Sequence, residues 1–156
     1  MRRVVWLAGA ALVALTLVFF LGMRFNWPPV LDTVRRTSRA TKPLVLKRAG
    51  TPGGPASVVR HVGRTSGRDY ETPVSAVPTG DGFVIALPYG KNTDWLQNVL
   101  ASGSATIVHE GETHRVERPE VVPLADTLTQ FPPRDQRSLR LFAVTHCLVV
   151  RTDEPA

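Results

Sequence analysis

Residues 4–23, VVWLAGAALVALTLVFFLGM, run for twenty positions without a charged side chain. At 1.5 Å of rise per residue, twenty helical residues reach about 30 Å, the thickness of a bilayer's hydrocarbon core. Trp6 and Trp27 stand near the two ends of the run, where interfacial aromatics are enriched. The rival reading is a cleaved secretory signal with Arg2 and Arg3 as its basic leader. Against it, the apolar core is longer than a signal usually has, and GMRFNWPP offers no small-x-small cleavage site. The expectation is an uncleaved, single-pass anchor over residues 1–27. Two arginines precede the span, whereas Arg24, Arg35, Arg36, Arg39, Lys42, Lys47 and Arg48 follow it. The positive-inside rule therefore puts the C-terminal bulk on the cytoplasmic side of the cell membrane.

The formal net charge of +6 and a sequence pI near 10.4 would ordinarily raise nucleic acid as a partner. The basic residues instead crowd behind the apolar run, which favours a bilayer surface over nucleic acid. Residues 28–55 read as a basic juxtamembrane segment, either a short helix with one wet face or a stretch lying on anionic lipid. GTPGGP at Gly50–Pro55 breaks regular structure and marks the edge of a folded domain, residues 56–156. The single cysteine, Cys147, allows neither an internal disulfide nor a cysteine metal cluster.

From Ala56 the pattern changes to short β segments. SVVRHV (Ser57–Val62) and TPVSAVP (Thr72–Pro78) flank a polar loop, and TGDG (Thr79–Gly82) signals a turn. FVIALP (Phe83–Pro88) is nearly continuous in apolar character, as suits a strand buried on both faces. TDWLQNVLASG has helical spacing, with Thr93 or Asp94 as N-cap and Gly103 just past the end. SATIVHEGETHRVERP reads as a hairpin turning at EGE. Two short helices, Leu124–Phe131 and Arg137–Val144, and a last strand, CLVVR, complete the chain. The order β-β-β-α-β-β-α-α-β predicts a mainly β (α+β) fold, a small barrel with helical additions, and not a doubly wound sheet.

Most catalytic signatures are missing. Neither Gly63–Gly67 nor GKNT at Gly90–Thr93 has the spacing of a phosphate-binding P-loop. His61, His109, His114 and His146 are scattered, with no pair at helix-face metal spacing. What stands out is GRTSGRDYETP, Gly63–Pro73. Arg64 and Arg68 offer forked donors, Thr65 and Ser66 offer hydroxyls, and the backbone at Gly63 and Gly67 can turn its amides inward. Such a turn makes an anion nest. A merely solvated polar hairpin is the other reading, and composition alone does not separate them.

The blocks VRHVGRTSGRDYETPV, GDGFVIALPYG and TDWLQNVLASGSATIVHEGETHRVERPEVV, with an echo in LRLFAVTHCLVVR, together resemble the deazaflavin-dependent nitroreductase family, whose members use coenzyme F420 on a split β-barrel. The resemblance runs from about Val58 to Val122. It implies that Gly63, Arg64, Thr65, Ser66 and Gly67, with Arg68 beside them, bind the cofactor's phosphate and acidic tail. It further implies that Tyr70, Thr72, Pro73, Val74 and Ser75 run along the cofactor. Ala86, Leu87, Pro88 and Tyr89 would border the deazaflavin ring, and Asp94, Trp95 and Asn98 would close the pocket. Reduced F420 would then pass a hydride to an acceptor, with Tyr89 as first candidate proton donor and Tyr70 as second. The adjacent anchor suggests a membrane quinone, and a nitroaromatic is the other acceptor class. Two alternatives stand beside this expectation: a non-catalytic F420-binding module at the membrane, and FMN in place of F420. Split-barrel relatives are often homodimers.

Overall fold

A single residue, Ser75, separates two strands that lie at opposite edges of one sheet. The structure, a computed structural model, describes residues 2–25 and 27–152. Met1, Asn26 and residues 153–156, which belong to the expected anchor and domain, lie outside the described residues. So do the side chains of residues 2–5 and 7–12 and those of Leu31, Arg35 and Arg39.

Helices α1 (Arg2–Arg24) and α2 (Pro28–Leu46) come first. Strands β1 (Ser57–Val62), β2 (Asp69–Val74), β3 (Ala76–Thr79) and β4 (Gly82–Ala86) follow. Then come α3 (Asp94–Ser102), the hairpin β5 (Ser104–His109) and β6 (Glu112–Pro123), α4 (Leu124–Thr127), α5 (Pro133–Leu141) and β7 (His146–Thr152). The seven strands form one antiparallel sheet in the order β2-β1-β5-β6-β7-β4-β3. Laid flat, six strand spacings would hold its edges roughly 29 Å apart. Yet Val74 and Ala76 are two residues apart in the chain, a reach of about 7 Å at most. The sheet must therefore curl until its edges meet at Ser75, with no ladder joining β2 to β3 among the described residues. A barrel left open along one seam is the geometry expected of a split barrel. The continuous strand expected over Thr72–Pro78 is corrected to two strands, because chain continuity across the seam requires the break.

The alternation of side chains sorts the core into two layers. Val59, Phe83, Ile85, Ile107, Val116, Leu148 and Val150 fill one layer with Leu96 and Val99 of α3. Val84 and Cys147 point the other way, onto Leu124, Phe131 and Val144. Phe83, Val84 and Ile85 are all buried, as the continuous apolar run predicts. Gly82 has no room for a side chain, since a Cβ would strike the Val150 carbonyl of the neighbouring β7. Helix α3 begins after Thr93 and ends at Gly103 with φ +72°, the left-handed cap that glycine favours.

Pro28 and Pro29 open α2, where missing amide protons cost nothing. Gly22 lets Val30 pack close on α1. Much of the described surface of α1 is apolar and exposed, including Val13, Leu15, Leu17 and Leu21. Phe20 stacks on the globular part, its ring 5.7 Å from that of Phe142. Among the described residues no single helix is long and apolar enough to cross a membrane; Val13–Arg24 and Pro28–Ser38, bent by 105°, meet that criterion only as a pair. The Gly50–Pro55 linker is tied to the β5–β6 turn: Gly111 N donates to Gly50 O at 2.6 Å and Gly53 N to Glu110 at 2.8 Å.

Candidate functional site

The loop between β1 and β2 closes on itself. Gly63 N donates to Arg68 O, and Gly67 N to Gly63 O, both at 2.8 Å. Gly67 has φ +65°, and a Cβ on Gly63 would collide with Ser66 Oγ and the Tyr70 ring. The Ser66 and Tyr70 hydroxyls are 3.1 Å apart. Among the described residues the amides of Thr65 and Ser66 have no protein acceptor, which leaves them available to an anion.

Arg64 is already engaged. Its backbone N–H and its Nη1 donate to Asn98 Oδ1 at 3.1 and 2.9 Å. Nη1 also reaches the Asp94 carbonyl at 3.3 Å, and Nη2 lies 3.5 Å from the Asp94 carboxylate. Asn98 is buried, and its amide Nδ2 donates to His61 Nδ1 at 3.1 Å. That leaves the His61 Nε2 proton to donate to Thr72 Oγ1 at 3.2 Å. One chain of hydrogen bonds thus joins the loop, α3, β1 and β2. It suits neutral His61, and burial, followed by the charge of Lys42, holds this histidine below its ordinary 6.5.

Two cavities flank this network and share a wall. The first, of about 580 Å³, takes in His61, Gly63, Arg64, Thr65, Ser66, Tyr70 and Thr72 on the barrel side, and Asn92, Asp94 and Asn98 about α3. The second, of about 440 Å³, is lined by Val74, Ser75, Ala86, Leu87 and Pro88, with Phe131 and Leu139 opposite. Ser38, Lys42, Pro73, Tyr89, Thr93 and Trp95 border both and form the neck between them. Of the residues expected from sequence, only Gly67 and Arg68 line neither. At the neck the Tyr89 hydroxyl is 3.3 Å from Ser38 Oγ. Thr93 Oγ1 is buried there with no hydrogen-bond partner among the described residues. Tyr70 lies nearer the loop, its ring stacked 5.8 Å from His61.

The contribution of α2 was not anticipated. Ser38, Thr41, Lys42 and Val45 face the cavities; their i, i+3, i+4, i+7 spacing is the mark of one helix face. That signal was present in the basic segment, but it does not reveal which surface the face meets. His61, too, shares a face with buried Val59 two residues earlier on β1 and alternates with exposed Arg60 and Val62, and its inward direction follows from that period. Cys147 is wholly buried, and burial raises its thiol pKa, so it offers no reactive thiolate. Among the described residues no group of three His, Cys, Asp or Glu side chains could hold a metal ion.

No family model matches the sequence, and no curated protein matches it. Solved structures do. A structure described as an F420-H2 dependent reductase (FDR-A) aligns over 62% of this chain and 94% of its own, at 14% identity and a TM-score of 0.42. One described only as a domain-swapped dimer aligns over 77% of this chain and 98% of its own, at 12% identity and 0.44. The protein Atu2129 of unknown function from Agrobacterium tumefaciens aligns over 64% and 48%, at 16% identity and 0.42. Likenesses this distant assign neither residues nor activity.

Proposed function

We propose that this chain is a membrane-anchored oxidoreductase that binds coenzyme F420 in the joined cavities and reduces a small acceptor, a quinone or a nitroaromatic. The observation that carries this reading is the convergence of the Gly63–Arg68 loop, β2, the end of β4 and the start of α3 on one pair of cavities. Each has the size of a small-molecule site, roughly 300–1,000 Å³. Their linings differ as a long ligand with one polar and one aromatic end requires. The free amides of Thr65 and Ser66 and the orphan hydroxyl of Thr93 fit a phosphate-bearing group, and Ala86, Leu87, Pro88 and Trp95 fit a ring.

The bound cofactor, when reduced, supplies the hydride. The chain's own residues then have three tasks. The loop holds the anionic end through backbone amides and hydroxyls, which fixes the ligand's register along β2. Trp95, Leu87 and Phe131 keep water from the ring-side cavity. The Tyr89 hydroxyl, oriented by Ser38, stands where a proton can be given to the reduced acceptor. Helix α2 lines the cavities and follows directly on α1, so an acceptor dissolved in lipid would have a short path to the site. This supports a quinone, and the basic residues that follow the apolar run support a cytoplasmic-face location.

Fluorescence titration of the full chain with oxidised F420 and with FMN tests the reading, beside a double variant Arg64→Ala, Ser66→Ala. Tight F420 binding that the variant loses is the expected result. Preference for FMN would replace the cofactor, and binding of neither would remove the proposal. Turnover of reduced F420 with a quinone then separates an enzyme from a binding module. Deleting residues 1–24 should lower activity on a long-chain quinone in vesicles while sparing a soluble one; unchanged rates on both would end the membrane part of the proposal.

A further inference from the structure

The sequence points to arginine as the cation for an anionic ligand, but the structure has already committed Arg64. Its Nη1 bonds Asn98 and the Asp94 carbonyl, and its Nη2 stands 3.5 Å from the Asp94 carboxylate, so part of its donor set and of its charge is already met. Arg68 lines neither cavity. Lys42 is placed differently. It projects from α2 into the neck, borders both cavities and is only partly exposed. Among the described residues no carboxylate lies within ion-pair distance of it. An anion entering the neck would therefore meet this charge with no competing carboxylate paired to it. Thr93 borders the same neck, and its buried hydroxyl has no hydrogen-bond partner among the described residues.

We propose that Lys42, not Arg64, is the principal cationic contact for the phosphate of the ligand these cavities hold, with Arg64 acting to position the loop. The identity of that ligand rests on the F420 reading; the phosphate contact does not. A segment that the sequence offers as a juxtamembrane helix or as a stretch on anionic lipid thereby supplies part of the binding site, and the domain after Ala56 lacks its main cation.

His61 provides a readout independent of any cofactor. Burial and then Lys42 on α2 depress its titration; Tyr70 and Thr72 on β2 and Asn98 on α3 touch it, Arg64 and Asp94 line the same cavity, and Asp69, Glu71 and Arg115 line the cavity on its other side. A phosphate beside Lys42 cancels that positive charge and lets His61 protonate more easily. NMR titration of the full chain in detergent micelles, with and without inorganic phosphate, should show the His61 midpoint rising on phosphate addition. In Lys42→Gln the midpoint should start higher and ignore phosphate, while Arg64→Gln, which disturbs the Asn98–His61 hydrogen bonds but leaves Lys42 in place, should still show a rise on phosphate addition. Phosphate that moves His61 equally in Lys42→Gln, that loses its effect only in Arg64→Gln, or that has none on the wild type would each overturn the assignment. A second arm compares F420 with its phosphate-free deazaflavin core. Lys42→Gln should weaken F420 about tenfold or more, the value of one charge-assisted hydrogen bond, and leave the core unaffected; equal losses would count against a phosphate contact. If phosphate and Lys42 behave as expected but F420 does not bind, the cofactor reading fails and the Lys42 assignment stands.

Discussion

His61 accepts from Asn98 on one ring nitrogen and donates to Thr72 from the other, which only the neutral ring can do. Its pKa lies below the ordinary 6.5, so the unfolded chain takes up the proton first as pH falls. Stability should be full above about pH 6.5 and decline as pH falls through the window below it. Chemical denaturation between pH 8 and 5 should show this slope, and His61→Gln should flatten it; an unchanged slope would assign the titration elsewhere. Arg64 and Asn98 form one unit with two hydrogen bonds between them. Arg64→Ala and Asn98→Ala should therefore be non-additive, with a coupling of about 0.5–3 kcal/mol in a double-mutant cycle. Simple additivity would refute the shared role. At the neck, Tyr89→Phe should lower kcat roughly 10²-fold or more if its hydroxyl is the proton donor, with little change in cofactor affinity. A rate that survives intact would hand the proton step to solvent.

At the scale of elements, α2 combines the exposed Arg36 with a face that walls the site. Removing α1 alone should leave F420 affinity nearly intact, whereas removing both helices should weaken it, since Ser38 and Lys42 go with the second. Isothermal titration of the two truncations checks this, and equal affinities would return α2 to a passive tether. Strand β4 shows the tolerance of the sheet from the other side. A Cβ at Gly82 meets the carbonyl of Val150, a backbone atom that cannot step aside. Gly82→Ala should destabilise by about 1–3 kcal/mol through forced overpacking, visible as a lower denaturation midpoint.

For the whole molecule, the curl of the sheet at Ser75 sets everything else. It brings Pro73, Val74 and Ser75 on one edge near Ala86 and Leu87 at the end of β4, and opens the seam where the ring-side cavity lies. Leu96 plugs this barrel from α3 with no exposed surface. Leu96→Ala should cost about 2–5 kcal/mol and loosen the seating of α3, which also carries Asn98, so thermal stability and cofactor affinity should fall together. The strands, the capped α3 and the loop were legible in the residues, because alternation, helical spacing and glycine placement are local signals. The break at Ser75 was not, since no residue there forbids a continuous strand; only closing the sheet requires it. Nor could local pattern show that Arg64 turns its Nη1 to α3 or that Lys42 faces the neck, because those partners lie 30 or more positions away in the chain. Local chemistry in the sequence determined which elements form and which loop can hold an anion. The tertiary structure alone decided which cation is left to meet it, because pairing among distant side chains depends on where the folded backbone carries them.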